Sequence, residues 1–366
     1  MTIRDEKHVR LYLPGPVEVR PEVLDAQANW MIGHRTQESY DLYARLQAML
    51  RRSFMTESRV YLSASSGTGL MEAAVRNAVR DEGTILHCVN GAFSTRWAEI
   101  SRANGKQVDT LEVAWGEAIK PEMVADALRG KQYDAVTITY NETSTGVLGP
   151  LADIAAVVRE ASEETLALVD AVSAYMGAPI DFDGWGLDVC LTSSQKALAL
   201  PPGIAVAAVS DRTLERAESI PHRGYYFDFL TLEKYLVRDQ TPATPAISLM
   251  YALERQLADI LDGEGLEARF ARHAEMAAMT REWAASRGFG MFPEAGYESP
   301  TVSALKKEPS FDIGALNAYL RQRGMVVSAG YGKQLRDTTW RVAHMGDLTR
   351  ADMEQLFAAI DSYLES

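Results

Sequence analysis

The chain has 366 residues, with 37 Lys and Arg against 50 Asp and Glu, a formal net charge of −13. Hydrophobic residues make up 47% and charged residues 24%, which excludes disorder as the main state and supplies core for one large or two medium domains. The acidic balance and the lack of a long basic block argue against a nucleic-acid binder.

Regular alternation begins at VYLSA (60–64), a strand. It leads into a helical pattern with Leu70, Met71, Ala74, Val75, Ala78 and Val79 on one face. TILHCV (84–89) is the next strand, and a helix runs on through Trp97 and Ile100. QVDTLEV (107–113) reads as a strand and PEMVADALRG (121–130) as a helix with Pro in its first turn. AVTITY (135–140), a helix over 151–164, LALVD (166–170) and DVCLTSS (188–194) continue the alternation. GIAVAAVS (203–210) is a strand able to return antiparallel. Such alternation predicts a mostly parallel sheet covered by helices on both faces. After the loop TPATPA (241–246) the texture changes. A long helical stretch over 247–287 is broken by GEG at 263–265. Strands follow at 301–305, 325–330 and 338–346, with a helix over 312–323. The last helix starts at Thr349 and places Met353, Leu356, Phe357, Ile360, Tyr363 and Leu364 at helical spacing. The pattern predicts a large α/β domain over 21–246 and a smaller α+β domain over 247–366, with the cleft between them as the natural site.

No run reaches the roughly 18–20 apolar residues of a membrane span. The start MTIRDEKHVR lacks the apolar segment of a secretory signal. Cys88 and Cys190 lie in apolar runs, ILHCV and LDVCL, and read as buried strand thiols. There is no Cys-x-x-Cys pair and no clustered His and Cys, so no metal is expected. A cytoplasmic protein without membrane or nucleic-acid partners is the expectation.

Three segments carry chemistry. In TSSQKALALPPG (192–203) a lysine, Lys196, follows directly on an apolar strand. A buried amine there titrates easily and can condense with an aldehyde; the alternative is a loop lysine pointing to solvent. In LALVDAVSA (166–174) Asp170 closes a strand, at the carboxyl edge where open α/β sheets bind ligands. It either holds a pyridinium N–H or caps a turn. The distance in sequence between Asp170 and Lys196 allows one crossover between neighbouring strands. In SASSGTGLMEAAVRNAV (63–79) small and hydroxyl residues lead a strand into a helix. The helix amides with the Ser66 and Thr68 hydroxyls make either a phosphate cradle or an ordinary capped start. The segment has neither the Lys of a Walker loop nor GxGxxG spacing.

The order of these segments resembles the pyridoxal 5'-phosphate (PLP) enzymes of fold type I. The wording resembles the class V aminotransferases, the alanine–glyoxylate and serine–glyoxylate group, from about residue 11 to the end. The anchors are LPGPVEVRPEV, MIGHRTQESY, SSGTGLMEAA, NGAFSTRW, NETSTGVLGPL, VDAVSA, SSQKALALPPG, TPATPAISL and WRVAHMG. The resemblance implies a large domain with a seven-stranded-type sheet, a smaller C-terminal domain, and an N-terminal segment, 1–20, that contributes to the cleft. It implies that Lys196 carries PLP and moves the substrate Cα proton, and that Asp170 pairs with the pyridine nitrogen. Phe93 and Val172 would flank the ring, Phe93 standing where several relatives have tryptophan. Ser66, Gly67, Thr68 and Gln195 would bind the phosphate side, with Thr68 where the family has histidine. Thr143 would sit near the phenolic oxygen or the substrate. Thr244 would reach the cofactor of a neighbouring subunit, making a homodimer; Thr241 stands where relatives can have a phosphate-binding tyrosine.

Arg341 is the implied fork for the substrate carboxylate, and Gly15 brings main chain close to the substrate. His34 and Arg35 are either a second anionic contact or interdomain packing. Tyr225 and Tyr226 line the cleft or a dimer interface. The implied reaction moves an amino group from alanine or serine to glyoxylate or another small 2-oxo acid by ping-pong exchange. Transamination of 2-aminoethylphosphonate or ureidoglycine, or a lyase reaction, remain alternatives. No cysteine follows Cys190, which argues against desulfurase chemistry. Lys196, Asp170 and Arg341 together argue against a binding subunit without turnover.

Overall fold

The computed structural model describes residues 8–366, so most of the stretch read as lacking a secretory signal lies outside the described residues. The strands are β1 (Arg10–Tyr12), β2 (Arg59–Ser63), β3 (Thr84–Val89), β4 (Gln107–Glu112), β5 (Ala135–Thr139), β6 (Asn141–Glu142), β7 (Val147–Leu148), β8 (Leu166–Asp170), β9 (Val189–Ser193), β10 (Ala205–Val209), β11 (Val302–Lys306), β12 (Met325–Ala329) and β13 (Thr339–Ala343).

Seven of them form one sheet in the order β2-β10-β9-β8-β5-β3-β4. β10 runs antiparallel to both neighbours and every other pair is parallel. The central strands AVTIT, LALVD, VCLTS and AVAAV are buried at every position. Continuous apolar runs of this kind suit a sheet covered on both faces. The register Ser63↔Ala205↔Ser193 sets the end of β2 level with the end of β9. One edge therefore collects the carboxyl ends of β2, β8 and β9.

The helix Gly67–Ala78 buries Leu70, Met71, Ala74, Val75 and Ala78 against this sheet. A second sheet, β1-β12-β13-β11, packs with the helices Leu266–Ser286 and Arg350–Leu364 around its own core. There the Trp283 and Phe357 rings stack at 4.8 Å. β1 joins that sheet beside β12, so the chain enters through the small core before crossing to the large one. The helix Ile247–Ala258 packs with the helices Pro21–Ala26 and Gln37–Phe54 on the large core.

The sequence reading places no element before residue 60, yet Gln37–Phe54 is an 18-residue helix. Its buried stripe is Leu42, Leu46, Leu50 and Phe54, one residue per turn. No helix among the described residues is long and apolar enough to cross a membrane. Cys88 and Cys190 are buried and unbridged, and burial pushes the Cys88 thiol up to about 12.

Candidate active site

The sheet edge opens into a cavity of about 270 Å³. Asp170, the last residue of β8, is 3% exposed and its Oδ1 accepts from the Val172 amide at 2.8 Å. Burial pushes its carboxyl up to about 7; the Val172 hydrogen bond and the Lys196 charge oppose that, and Glu142 adds to it. Lys196 lies three residues past β9 and is 8% exposed. Burial pulls its amine down to about 8, helped by the charge of Arg341 and resisted by Asp170 and Glu142. Its Nζ donates to the Pro14 carbonyl and lies 5.8 Å from the centre of the Phe93 ring. Gly15, at φ +113°, must be glycine on two counts. A side chain is strained at that φ, and a Cβ would come within 2.7–2.8 Å of the Lys196 side chain.

Ser66 precedes the helix Gly67–Ala78 in extended conformation, and its side chain makes no cap bond. Ser66, Gly67 and Thr68, at the start of that helix, line the cavity. A Cβ on Gly67 would lie 2.6 Å from Val172 Cγ2, so glycine there lets the helix start approach Val172. Ser193 Oγ and Gln195 Oε1 are buried beside the cavity with no hydrogen-bond partner among the described residues. Thr143 also lines it, and its hydroxyl bonds that of Ser173.

Of the other sequence-predicted residues, Arg341 adjoins the cavity through a lining residue, and Thr244, His34 and Arg35 lie apart from it. Arg341, on β13, is 6% exposed and borders the cavity through Thr143, whose carbonyl accepts from its Nη1 at 3.2 Å. It also bonds Ser328 Oγ at 3.0 Å and the Ala329 carbonyl at 3.2 Å. Burial pulls it down to about 10, against the pull of Tyr331 and Glu142. It has no carboxylate within ion-pair distance among the described residues. Thr244 borders a separate groove with Tyr225, Tyr226 and Thr241. His34 is half-buried and Arg35 exposed, and neither borders the cavity. They lie in the loop before the helix Gln37–Phe54, where Arg35 reaches the Pro242 carbonyl at 3.4 Å and the Tyr235 ring.

The structure adds residues that sequence reasoning missed. Glu142 is fully buried. Its Oε2 accepts from the Phe93 and Ser94 amides, each at 3.0 Å, and its Oε1 from the Ser144 amide at 3.0 Å and hydroxyl at 2.7 Å. It thereby fixes the start of the helix Ala92–Ala103, which carries Phe93 and Arg96. Arg96 lines the cavity one turn after Phe93, with its guanidinium 4.9 Å from the Phe93 ring. Spacing of three on a helix following a site aromatic was the available signal.

The aminotransferase class-V family model matches residues 19–353. This chain is a class V aminotransferase. An uncharacterized aminotransferase of Methanocaldococcus jannaschii is 35% identical over 360 residues, 97% of this chain and 92% of that one. The serine–glyoxylate aminotransferase of Methylorubrum extorquens is 31% identical, over 94% of this chain and 88% of its own. The crystal structure of alanine–glyoxylate aminotransferase from Nostoc superposes with a TM-score of 0.93 at 30% identity, covering 100% of this chain and 97% of that one. The class V aminotransferase is thus a PLP-dependent transaminase of fold type I, and the cavity fits that cofactor. It offers an amine, a buried carboxylate, an aromatic face, a helix N-terminus and two unpartnered polar atoms, Ser193 Oγ and Gln195 Oε1.

Proposed function

We propose that this aminotransferase moves an amino group from a small amino acid, alanine or serine, to glyoxylate or another small 2-oxo acid by ping-pong exchange. The observation that carries this reading is Arg341, a buried guanidinium without a carboxylate partner among the described residues, one residue's width from the cavity that holds Lys196. A fork of this kind takes the α-carboxylate of an amino acid or 2-oxo acid in two parallel bonds. The relatives named for serine–glyoxylate and alanine–glyoxylate transfer support the donor and acceptor classes.

PLP, when bound, supplies the carbonyl that takes the amino group and the ring that receives the electrons of the broken Cα–H bond. The chain's own residues do the rest. Lys196 holds the cofactor and, once free, moves the proton at the substrate Cα. A buried amine near 8 has the neutral form available for both tasks. Asp170, pushed toward its neutral form in the bare chain, would be favoured in its charged form beside the pyridine N–H. Phe93 and Val172, which both line the cavity, would cover the two ring faces. The amides of Ser66, Gly67 and Thr68 and the hydroxyls of Ser66 and Thr68 would take the phosphate, with Gln195 beside them. Thr143 would face the ring's phenolic oxygen or the substrate, and Gly15 would let main chain close over the reacting centre.

Thr244 lies outside the cavity of its own chain, which suits a role in a partner subunit's site. Trp30 is 93% exposed and Tyr225 67%, exposed aromatic rings suited to covering by a second copy. A single-turnover absorbance experiment on the PLP-loaded protein tests the reading. Alanine, serine, glycine, aspartate and 2-aminoethylphosphonate are added one at a time. Alanine or serine should convert bound PLP to its aminated form, and glyoxylate should reverse the change. A response to the phosphonate alone, or to none of the five, overturns the proposal.

A further inference from the structure

Phe93 is a half-buried ring at the cavity wall, and three side chains converge on it. The Arg96 guanidinium, one turn on along the same helix, lies 4.9 Å from the ring centre, and Lys196 Nζ lies 5.8 Å from it. The third is Tyr331, whose ring centre is 5.1 Å from that of Phe93 with the planes tilted by 47°. No carboxylate lies within ion-pair distance of Arg96 among the described residues, so its charge is met by the aromatic face instead. Arg96 Nη2 also donates to Tyr331 Oη at 2.8 Å. Tyr331 therefore touches the Phe93 ring and holds the cation that lies over it, and the three side chains close a triangle.

The triangle spans the two cores. Phe93 and Arg96 stand on the helix Ala92–Ala103, whose start Glu142 fixes through the Phe93 amide. That bond holds the main chain and leaves the Phe93 ring free to turn about χ1. Tyr331 comes from the second sheet, two residues past β12. Its position is set there. The Gly330 amide donates to the Thr339 carbonyl on β13 at 3.0 Å. A Cβ on Gly330 would lie 2.0 Å from the Leu335 carbonyl oxygen, so glycine lets the chain fold tightly into the short helix Gly332–Leu335. Arg341, also on β13, bonds Ser328 Oγ and the Ala329 carbonyl just before this turn, and its guanidinium lies 5.5 Å from the Tyr331 ring centre. Tyr331 thus hangs from the strand pair that carries Arg341 and reaches the helix that carries Phe93.

We propose that Tyr331 is a positioning residue that, with Arg96, clamps the Phe93 ring against the cofactor ring and ties that contact to the strand carrying Arg341. Tyr331 acts through Phe93 and Arg96 and need not touch PLP itself. The cover of the cofactor ring is then complete only when the small core is seated on the large one. The clamp rests on the reading of Phe93 as a ring cover and is independent of which amino acid is the donor.

The test is a double-mutant cycle read as PLP affinity, by equilibrium dialysis of the full chain. Loss of the aromatic pair and of the Arg96 bond predicts that Tyr331→Leu binds PLP roughly tenfold more weakly. Tyr331→Phe keeps the ring and loses one hydrogen bond, so it should lose about threefold. In a Phe93→Leu background, Tyr331→Leu should cost less than about twofold, because the ring it holds is gone. At saturating PLP, the visible circular dichroism of the bound cofactor should shrink in Tyr331→Leu and persist in Tyr331→Phe. Equal fold losses for Tyr331→Leu in the two backgrounds assign it a general structural role and overturn the clamp. So does a Tyr331→Leu protein with unchanged PLP affinity and dichroism. If Tyr331→Leu does not fold, the cycle of Tyr331→Phe with Phe93→Leu decides in the same way, by whether the threefold loss disappears. An unchanged PLP affinity in Phe93→Leu alone overturns the ring-cover reading and the clamp with it. Failure of alanine and serine to transfer to glyoxylate, with the coupling intact, removes the small-donor reading and leaves the clamp standing.

Discussion

Lys196 and Asp170 are buried on the same sheet edge and burial drives each toward its neutral form, Lys196 down to about 8 and Asp170 up to about 7. The two act oppositely on stability as pH changes. An acid whose folded pKa is raised favours folding while protonated, and that contribution fades as pH rises from about 4 toward 7. An amine whose folded pKa is lowered favours folding while neutral, and its contribution fades as pH falls from about 10.5 toward 8. Near neutral pH the cofactor-free protein therefore bears the cost of both charges, and in the proposed reading PLP would relieve it by pairing with Asp170 and bonding Lys196. Asp170→Asn keeps an acceptor for the Val172 amide and removes the buried charge. We expect it to stabilise the cofactor-free protein by roughly 1–3 kcal/mol at pH 8 and to change little at pH 4, by urea unfolding. The same variant should bind PLP more weakly and turn over more slowly. A cofactor-free Asp170→Asn protein no more stable than the parent at pH 8 would show that the carboxylate is not under strain.

At the scale of elements, the helix Ala92–Ala103 shows how a cap sets the site. Glu142 takes the place of a local N-cap side chain, reaching its first amides from the β6–β7 hairpin. Gly91 leaves room for it, since a Cβ there would overlap the Glu142 side chain. Glu142→Ala strands two buried backbone amides, those of Ser94 and Ser144, and the part-buried amide of Phe93. The expected cost is roughly 3 kcal/mol in urea unfolding, with weaker PLP binding because Phe93 and Arg96 lose their anchor. Glu142→Gln keeps one acceptor and should cost less. None of this was legible in NETSTG, because the partner of Glu142 is set by folding and not by spacing. The Arg96–Tyr331 contact escaped the sequence reading for the same reason: the two meet only when the two sheets pack. What was legible is what a strand records locally. LALVD and VCLTS are unbroken apolar runs, and a charged or polar residue ending each, Asp170 or Ser193, marks the ligand edge. The helix Gln37–Phe54 hid its stripe among Arg45, Arg51 and Arg52, and β1 is three residues long with its partner β12 more than 300 positions away.

Across the whole molecule, one side chain joins the segments that must stay in register. Arg269 is 1% exposed, on the long helix that follows the π-helical turn Asp259–Glu264. Its Nη2 donates to the Ala197 carbonyl at 2.7 Å, next to Lys196, and its Nε to the Met176 carbonyl at 3.2 Å, in the loop after β8. Its Nη1 reaches Asp347 at 3.1 Å, just beyond β13, and Glu264 at 2.9 Å. The lysine turn, the Asp170 loop and the strand that carries Arg341 thus share one guanidinium. His273, one turn on, extends the tie by accepting from the Gly346 amide at 3.1 Å. Lysine keeps the charge but presents one compact ammonium, which cannot serve four partners in a plane. Arg269→Lys should cost roughly 3 kcal/mol in urea unfolding with an unchanged slope. Misregister of Lys196 against Arg341 should further lower kcat for the amino donor while PLP affinity, set within the large sheet, falls much less. A variant that loses stability but keeps kcat would show that Arg269 holds the two cores together without setting the distance between the amine and the carboxylate fork.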